Sequence, residues 1–182
     1  MNKRTVLILA LIALLAGGSV SYYLNSTATP LNVAPSEAIT KSDNTNPLDI
    51  ALLDLDGRPH KMNEWSGQVV VINFWATWCP PCRREIPTII ALQDELKEKG
   101  VQFVGVAVDS TKRVKQYVKE HNINNYPTMQ GESTGLDFSI ALGNRRSILP
   151  YTVIVNRSGE IVARHTGEAT REQLLNQINP LL

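Results

Sequence analysis

From Gln68 to Trp75 the chain carries Val69, Val70, Val71, Ile72 and Phe74 with hardly a break, a β-prone run that does not alternate between apolar and polar residues. A strand with one wet face alternates with a period of two, whereas a continuous apolar run must be covered on both faces. Such a strand belongs in the middle of a sheet flanked by helices, and the rest of the chain must supply those helices. Ile86, Ile89, Ile90 and Gln93 to Leu96 fall at helical spacing up to a stop at Gly100. Val101 to Val108 reads as a second buried strand, ending at Asp109-Ser110, which can cap a helix carrying Val114, Tyr117, Val118 and His121. Tyr151 to Val155 and Glu160 to His165 follow as strands joined by the Asn156-Arg157-Ser158-Gly159 turn, and Thr170 caps a last helix with Leu174, Leu175, Ile178 and Leu182 inward. Ahead of the central run, Asp49 to Leu55 and Arg58 to Met62 form a short hairpin about Asp56-Gly57. The pattern predicts an α/β fold with a sheet of mixed direction. Residues 122–143 are the least patterned: Pro127, Gly131, Gly135 and Gly143 interrupt them, and only Leu136 to Leu142 suggests a short helix.

The N-terminal residues are of another kind. After Lys3 and Arg4, Thr5 to Leu24 carry no charge, and at about 1.5 Å per residue that stretch spans roughly 30 Å of hydrocarbon. Basic residues lie before it, none lies just after it, and Tyr22 and Tyr23 suit a membrane interface. Residues 1–24 are therefore expected to be a signal anchor, one transmembrane helix with the domain on the outer side. A cleaved signal peptide ending among Ala16, Gly17, Gly18 and Ser19 is the competing reading. Either delivers the remainder to a space where disulfides persist. Residues 25–47, rich in Ser, Thr, Asn, Ala and Pro, read as a flexible linker, and residues 48–182 as the folded domain. Three of the 18 basic and two of the 17 acidic residues precede Leu48, leaving fifteen of each in that domain. A neutral domain lacks the basic excess of a nucleic-acid binder.

Only two cysteines occur, Cys79 and Cys82, too few for a disulfide-stapled scaffold and two ligands short of an all-cysteine zinc site. They close the segment Phe74-Trp75-Ala76-Thr77-Trp78-Cys79-Pro80-Pro81-Cys82. A strand ends near Ala76 and a helix begins near Cys79, so the first sulfur lies at a helix N-terminus, where free amides and the dipole favour a thiolate. One helical turn brings the second sulfur within bonding distance, so Cys82 can attack a mixed disulfide formed at Cys79 and release the partner. A purely structural bridge is the bland alternative, but so short a loop stabilises much less than the roughly 3 kcal/mol of a 15-residue loop. Paired thiolates also suit Cu(I) or zinc. The three histidines, His60, His121 and His165, are isolated in sequence, so no metal site is expected, and a copper-handling binding module stays as an alternative. No Gly-x-Ser-x-Gly elbow occurs, and nothing local supplies a base for a cysteine protease. Pro80-Pro81 removes two backbone donors beside Cys79 and stiffens the loop.

The string Val71-Ile72-Asn73-Phe74-Trp75-Ala76-Thr77-Trp78-Cys79-Pro80-Pro81-Cys82-Arg83-Arg84-Glu85-Ile86-Pro87 closely resembles the active-site segment of thioredoxin-like proteins, specifically the membrane-anchored TlpA/ResA group of bacterial envelopes. Leu149-Pro150-Tyr151-Thr152-Val153-Ile154-Val155 resembles that family's cis-proline loop. The resemblance implies a thioredoxin-like fold, a mixed central sheet flanked by helices, with Cys79 as the attacking thiol and Cys82 as the resolving one. It implies that Pro150 is the cis proline opposite the disulfide and that Leu149 offers backbone groups to an extended substrate. Trp75 and Trp78 would wall the site, although Trp75 could equally be core only. Pro87 resembles the family's helix-kinking proline. Asn73 departs from thioredoxin itself, where a buried aspartate moves protons. Glu85, one turn beyond Cys82, resembles a glutamate of the ResA-like members and could take that role; a solvated glutamate paired with Arg83 or Arg84 is the bland reading. The expected partners are disulfide-containing envelope proteins such as apocytochrome c, a membrane electron donor, and the inner membrane through the N-terminal helix, with the catalytic domain in the periplasm. No organic cofactor is required, and an oxidase or isomerase using the same cysteines differs only in redox poise.

Overall fold

The computed structural model describes residues 47–182; the proposed anchor and most of the linker lie outside the described residues. The central run forms β3 (Val69–Trp75), buried at every position. It pairs in parallel with β4 (Val101–Ala107) and antiparallel with β6 (Tyr151–Val155). Outside β4 lie β5 (Thr128–Gln130), β1 (Ala51–Asp54) and β2 (Pro59–Lys61), and outside β6 lies β7 (Ile161–Thr166), giving the order β2-β1-β5-β4-β3-β6-β7. The sheet is mixed, as the element pattern requires: β3, β4 and β5 run parallel, and the remaining pairs are antiparallel.

Among the described residues four helices cover the sheet: α1 (Pro80–Leu96), α2 (Thr111–Glu120), α3 (Glu132–Ala141) and α4 (Arg171–Ile178). Alternation along β3 divides the interior in two. Val69, Val71 and Trp75 point into a core shared with Ile86, Ile89, Leu92 and Leu96 of α1, Val114 and Tyr117 of α2, and Leu174 and Ile178 of α4. Val70, Ile72 and Phe74 point the other way, against Phe138 of α3, Leu142, Leu52 and Met62. Gly100 ends the turn after α1 at φ 81°, a left-handed conformation that a glycine adopts without a Cβ penalty. The Thr170 hydroxyl accepts from Gln173 N–H, and the Gln173 side chain returns the bond, closing the capping box of α4.

Three expectations change. Ser110 occupies the N-cap of α2 but makes no side-chain cap bond; its N–H goes instead to Asp109 Oδ1 at 2.7 Å. The unpatterned stretch contains both β5 and α3. The strand is only three residues long, and α3 contacts the core through Phe138 along a mostly polar or small-residue sequence, so neither leaves a clear period. Leu182 is 44% exposed rather than inward, because the chain leaves α4 through a 3-10 turn at Asn179–Leu181.

Candidate active site

Cys79 and Cys82 form a disulfide with Cα atoms 5.3 Å apart. Cys79 is the N-cap of α1, followed by Pro80 and Pro81 in the first two helical positions. Neither proline has an N–H to offer. The first surviving amide, Cys82 N–H, donates to Cys79 Sγ at 3.3 Å. The helix therefore presents to this sulfur one aimed donor in place of the usual fan of free amides. Both cysteines are nearly inaccessible, at 4% and 1% exposure.

Thr77, two residues ahead of Cys79, is held from the neighbouring strand end. Its N–H donates to Asp109 Oδ2 at 3.2 Å, and its hydroxyl donates to the same oxygen. Asp109 also accepts from Ser110 N–H and from Arg113 Nε at 2.8 Å. Burial pushes this carboxyl up, but the bonds from Thr77, Arg113 and Ser110 outweigh it and hold the group below the usual aspartate range. The sequence singled out Asp109 only as a helix cap; its tie to the cysteine loop spans 32 residues and appears only once β3 and β4 lie side by side.

Glu85 is 2% exposed and unpaired with Arg83 or Arg84, so the solvated reading does not hold. Arg84 instead pairs with Glu168 at 2.5 Å. Glu85 Oε1 accepts Ala169 N–H at 3.3 Å, and Oε2 accepts Asn73 Nδ2 at 3.4 Å. Burial raises its pKa to about 7 against those two bonds, with the nearby charge of Glu168 pushing the same way. Asn73, the one polar residue of β3, also donates to Thr152 Oγ1 at 3.0 Å, bridging two strands and α1. Tyr126 is buried on the same face; its hydroxyl is pushed up by burial, then by Tyr117 and Glu85.

Leu149–Pro150 is a cis peptide bond, and Pro150 O accepts Gly167 N–H at 2.9 Å. Tyr151 pairs with Phe74, so one step further along the register brings Pro150 to the sheet end where β3 leads into the cysteine loop. Leu149 packs against the core that holds both cysteines. Trp78 is 61% exposed beside them, whereas Trp75 is fully buried and belongs to the core. The histidines lie apart from the cysteines: His60 bonds Glu64 and Asp54, His121 stacks on Tyr117 with ring centroids 3.9 Å apart, and His165 faces Glu168 O.

A mixed sheet with a Cys-Pro-Pro-Cys disulfide at the head of its first long helix, beside a cis proline, defines the thioredoxin-fold thiol:disulfide oxidoreductases. Comparison with known proteins narrows the class. The Redoxin family matches residues 37–178. The thiol-disulfide oxidoreductase ResA of one Bacillus cereus strain is 32% identical over 136 residues, covering 72% of this chain and 76% of the relative. ResA of a second Bacillus cereus strain is 28% identical over 199 residues, covering 99% of this chain and all of the relative. Among solved structures, a thiol:disulfide interchange protein of the thioredoxin family from Chlorobium tepidum TLS superposes with a TM-score of 0.64 at 26% identity, covering 76% of this chain and 98% of that one. The chain belongs to the Redoxin family, as a thiol:disulfide oxidoreductase of the ResA/TlpA-like kind.

Proposed function

We propose that this oxidoreductase is tethered to the outer face of a bacterial inner membrane by residues 1–24 and reduces disulfides in periplasmic proteins, apocytochrome c among them. The Cys79 thiolate attacks one sulfur of the substrate disulfide. A Cys79–substrate bond forms as the substrate bond breaks, and the departing sulfur takes up a proton. Cys82 then gives its proton to Glu85 and attacks Cys79 Sγ; the Cys79–substrate bond breaks as the Cys79–Cys82 disulfide forms, and the second substrate sulfur leaves as a thiolate that takes up a proton. Two electrons pass from the dithiol to the substrate, and a membrane electron donor returns them. Leu149 and Pro150 receive the substrate as an extended segment, and Trp78 lies against it. The couple itself carries the electrons, so the reaction needs no organic cofactor.

The observation that carries this reading is the disulfide at the head of α1 with a buried carboxyl one turn further along the same helix. The tether rests on the charge-free run from Thr5 to Leu24. The test is the equilibrium reduction potential of the Cys79–Cys82 couple, titrated against redox buffers. A value between roughly −270 and −200 mV marks a reductant; one near about −120 mV makes the protein a disulfide donor and overturns the reductive reading. In a separate disulfide-reductase assay with a disulfide-containing substrate, Cys79→Ser abolishes turnover, and Cys82→Ser accumulates a mixed disulfide with substrate, visible by mass spectrometry. Cell fractionation finds the intact chain with the membrane if residues 1–24 are an anchor.

A further inference from the structure

Beside the cis proline lies a groove of about 330 Å³ lined by Gly143, Asn144, Arg145, Arg146, Ile148 and Thr166. Ile148 directly precedes the Leu149–Pro150 bond, and Thr166 pairs with Tyr151 just after it. The groove therefore continues the surface on which the proposed reaction lays its substrate.

Its wall is built. Asn144 is 4% exposed, and its Oδ1 accepts Ile148 N–H while its Nδ2 donates to Ile148 O, both at 3.0 Å. Ser147 turns the chain at φ 51°, with its N–H on Asn144 O at 3.0 Å. Behind the loop, Tyr151 Oη and Arg164 Nε both donate to Leu142 O, at 3.1 and 2.9 Å. Arg145 and Arg146 stand exposed on this fixed loop. Among the described residues neither has an ion-pair partner, whereas Arg58, Arg84, Arg113 and Arg171 each meet a carboxylate. Glu168, two residues beyond Thr166, is taken by Arg84.

We propose that this groove receives an aspartate or glutamate side chain flanking the disulfide of the substrate polypeptide, giving the enzyme a preference for acidic segments. The inference rests on the reading that substrate lies along Leu149–Pro150. Two neighbouring guanidinium groups without a counter-charge repel each other, and a carboxylate relieves that repulsion while matching the donor fork of either one. Exposed charges at a docking site also speed encounter with an oppositely charged partner in a salt-dependent way. The half-exposed Ile148 offers apolar contact to the residue beside the carboxylate.

The test uses the full chain in neutral detergent, recycled by dithiothreitol, on disulfide-bridged peptides identical except for Asp, Asn or Lys next to one cysteine. The expected order of kcat/KM is Asp, then Asn, then Lys, with an Asp-to-Lys ratio of about tenfold or more at low salt that shrinks at high salt. R145S/R146S brings that ratio to about one, and R145K/R146K keeps part of it. A ratio near one in the wild type, the result if these arginines face an anionic lipid headgroup, overturns the inference and leaves the reductase reading standing. A preference that survives in R145S/R146S places acid recognition elsewhere and overturns it equally. Failure to reduce any of the peptides overturns the reading of the site itself, and this inference with it.

Discussion

At the scale of single residues, the site turns on how few groups are left to choose a charge state. Pro80 and Pro81 strip the helix head of donors and leave Cys82 N–H on Cys79 Sγ. Beneath them Glu85 receives two weak donors and no cation, so burial dominates and its pKa reaches about 7 in the disulfide form. A carboxyl raised in the folded state leaves the fold most stable below its unfolded pKa, near 4.5. Stability then falls as pH rises toward 7, because the unfolded chain ionises first. Glu85→Gln should abolish that slope and stabilise the oxidised protein above pH 7 by up to about 3 kcal/mol, measured by urea unfolding across pH. If Glu85 accepts the Cys82 proton, the same variant flattens the pH dependence of mixed-disulfide resolution near neutrality, read by stopped-flow kinetics.

At the scale of elements, the cysteine loop is held from the connection that follows β4. Asp109, at the end of β4, gathers Thr77, Ser110 and Arg113 on one buried carboxylate and so ties the approach to α1 to the start of α2. Asp109→Ala removes the acceptor for all of these donors, including two on Thr77, and should cost about 2–3 kcal/mol in urea unfolding, with Asp109→Asn losing less. Its carboxyl is held low, so the stability it contributes is present above about pH 4 and lost as pH falls through the folded value. The Asp109→Ala variant should lack that part of the acid transition, followed by circular dichroism.

At the scale of the whole molecule, the sheet separates two cores that do different work. The α1 face holds both cysteines, Trp75 and Tyr126; the α3 face holds Phe74, Phe138 and Tyr151, with Phe74 and Phe138 edge to face at 5.5 Å. Truncating Phe138, which is fully buried, should cost about 3–5 kcal/mol and lower the melting temperature. Because the sheet stands between it and the sulfurs, Phe138→Ala should leave the alkylation rate of reduced Cys79 unchanged at temperatures where the variant is folded.

Local sequence alone specifies the central strand, the helix that follows it and the two cysteines at their junction. A doubly buried strand shows as an unbroken apolar run, and a helix carries its period in its own residues. The Thr170 cap of α4 was legible for the same reason. Tertiary structure decided the rest, since β5 is too short to carry a period and exists only because β4 and β1 flank it. It decided the state of Glu85, whose bonds come from Asn73, 12 residues before it, and Ala169, 84 residues after it. It placed Asp109 beneath the cysteine loop and aligned the Arg145–Arg146 loop with the cis proline. Burial and charge pairing depend on which distant segments meet, and the Ala169 bond to Glu85 and the Thr77 bond to Asp109 join residues 84 and 32 positions apart.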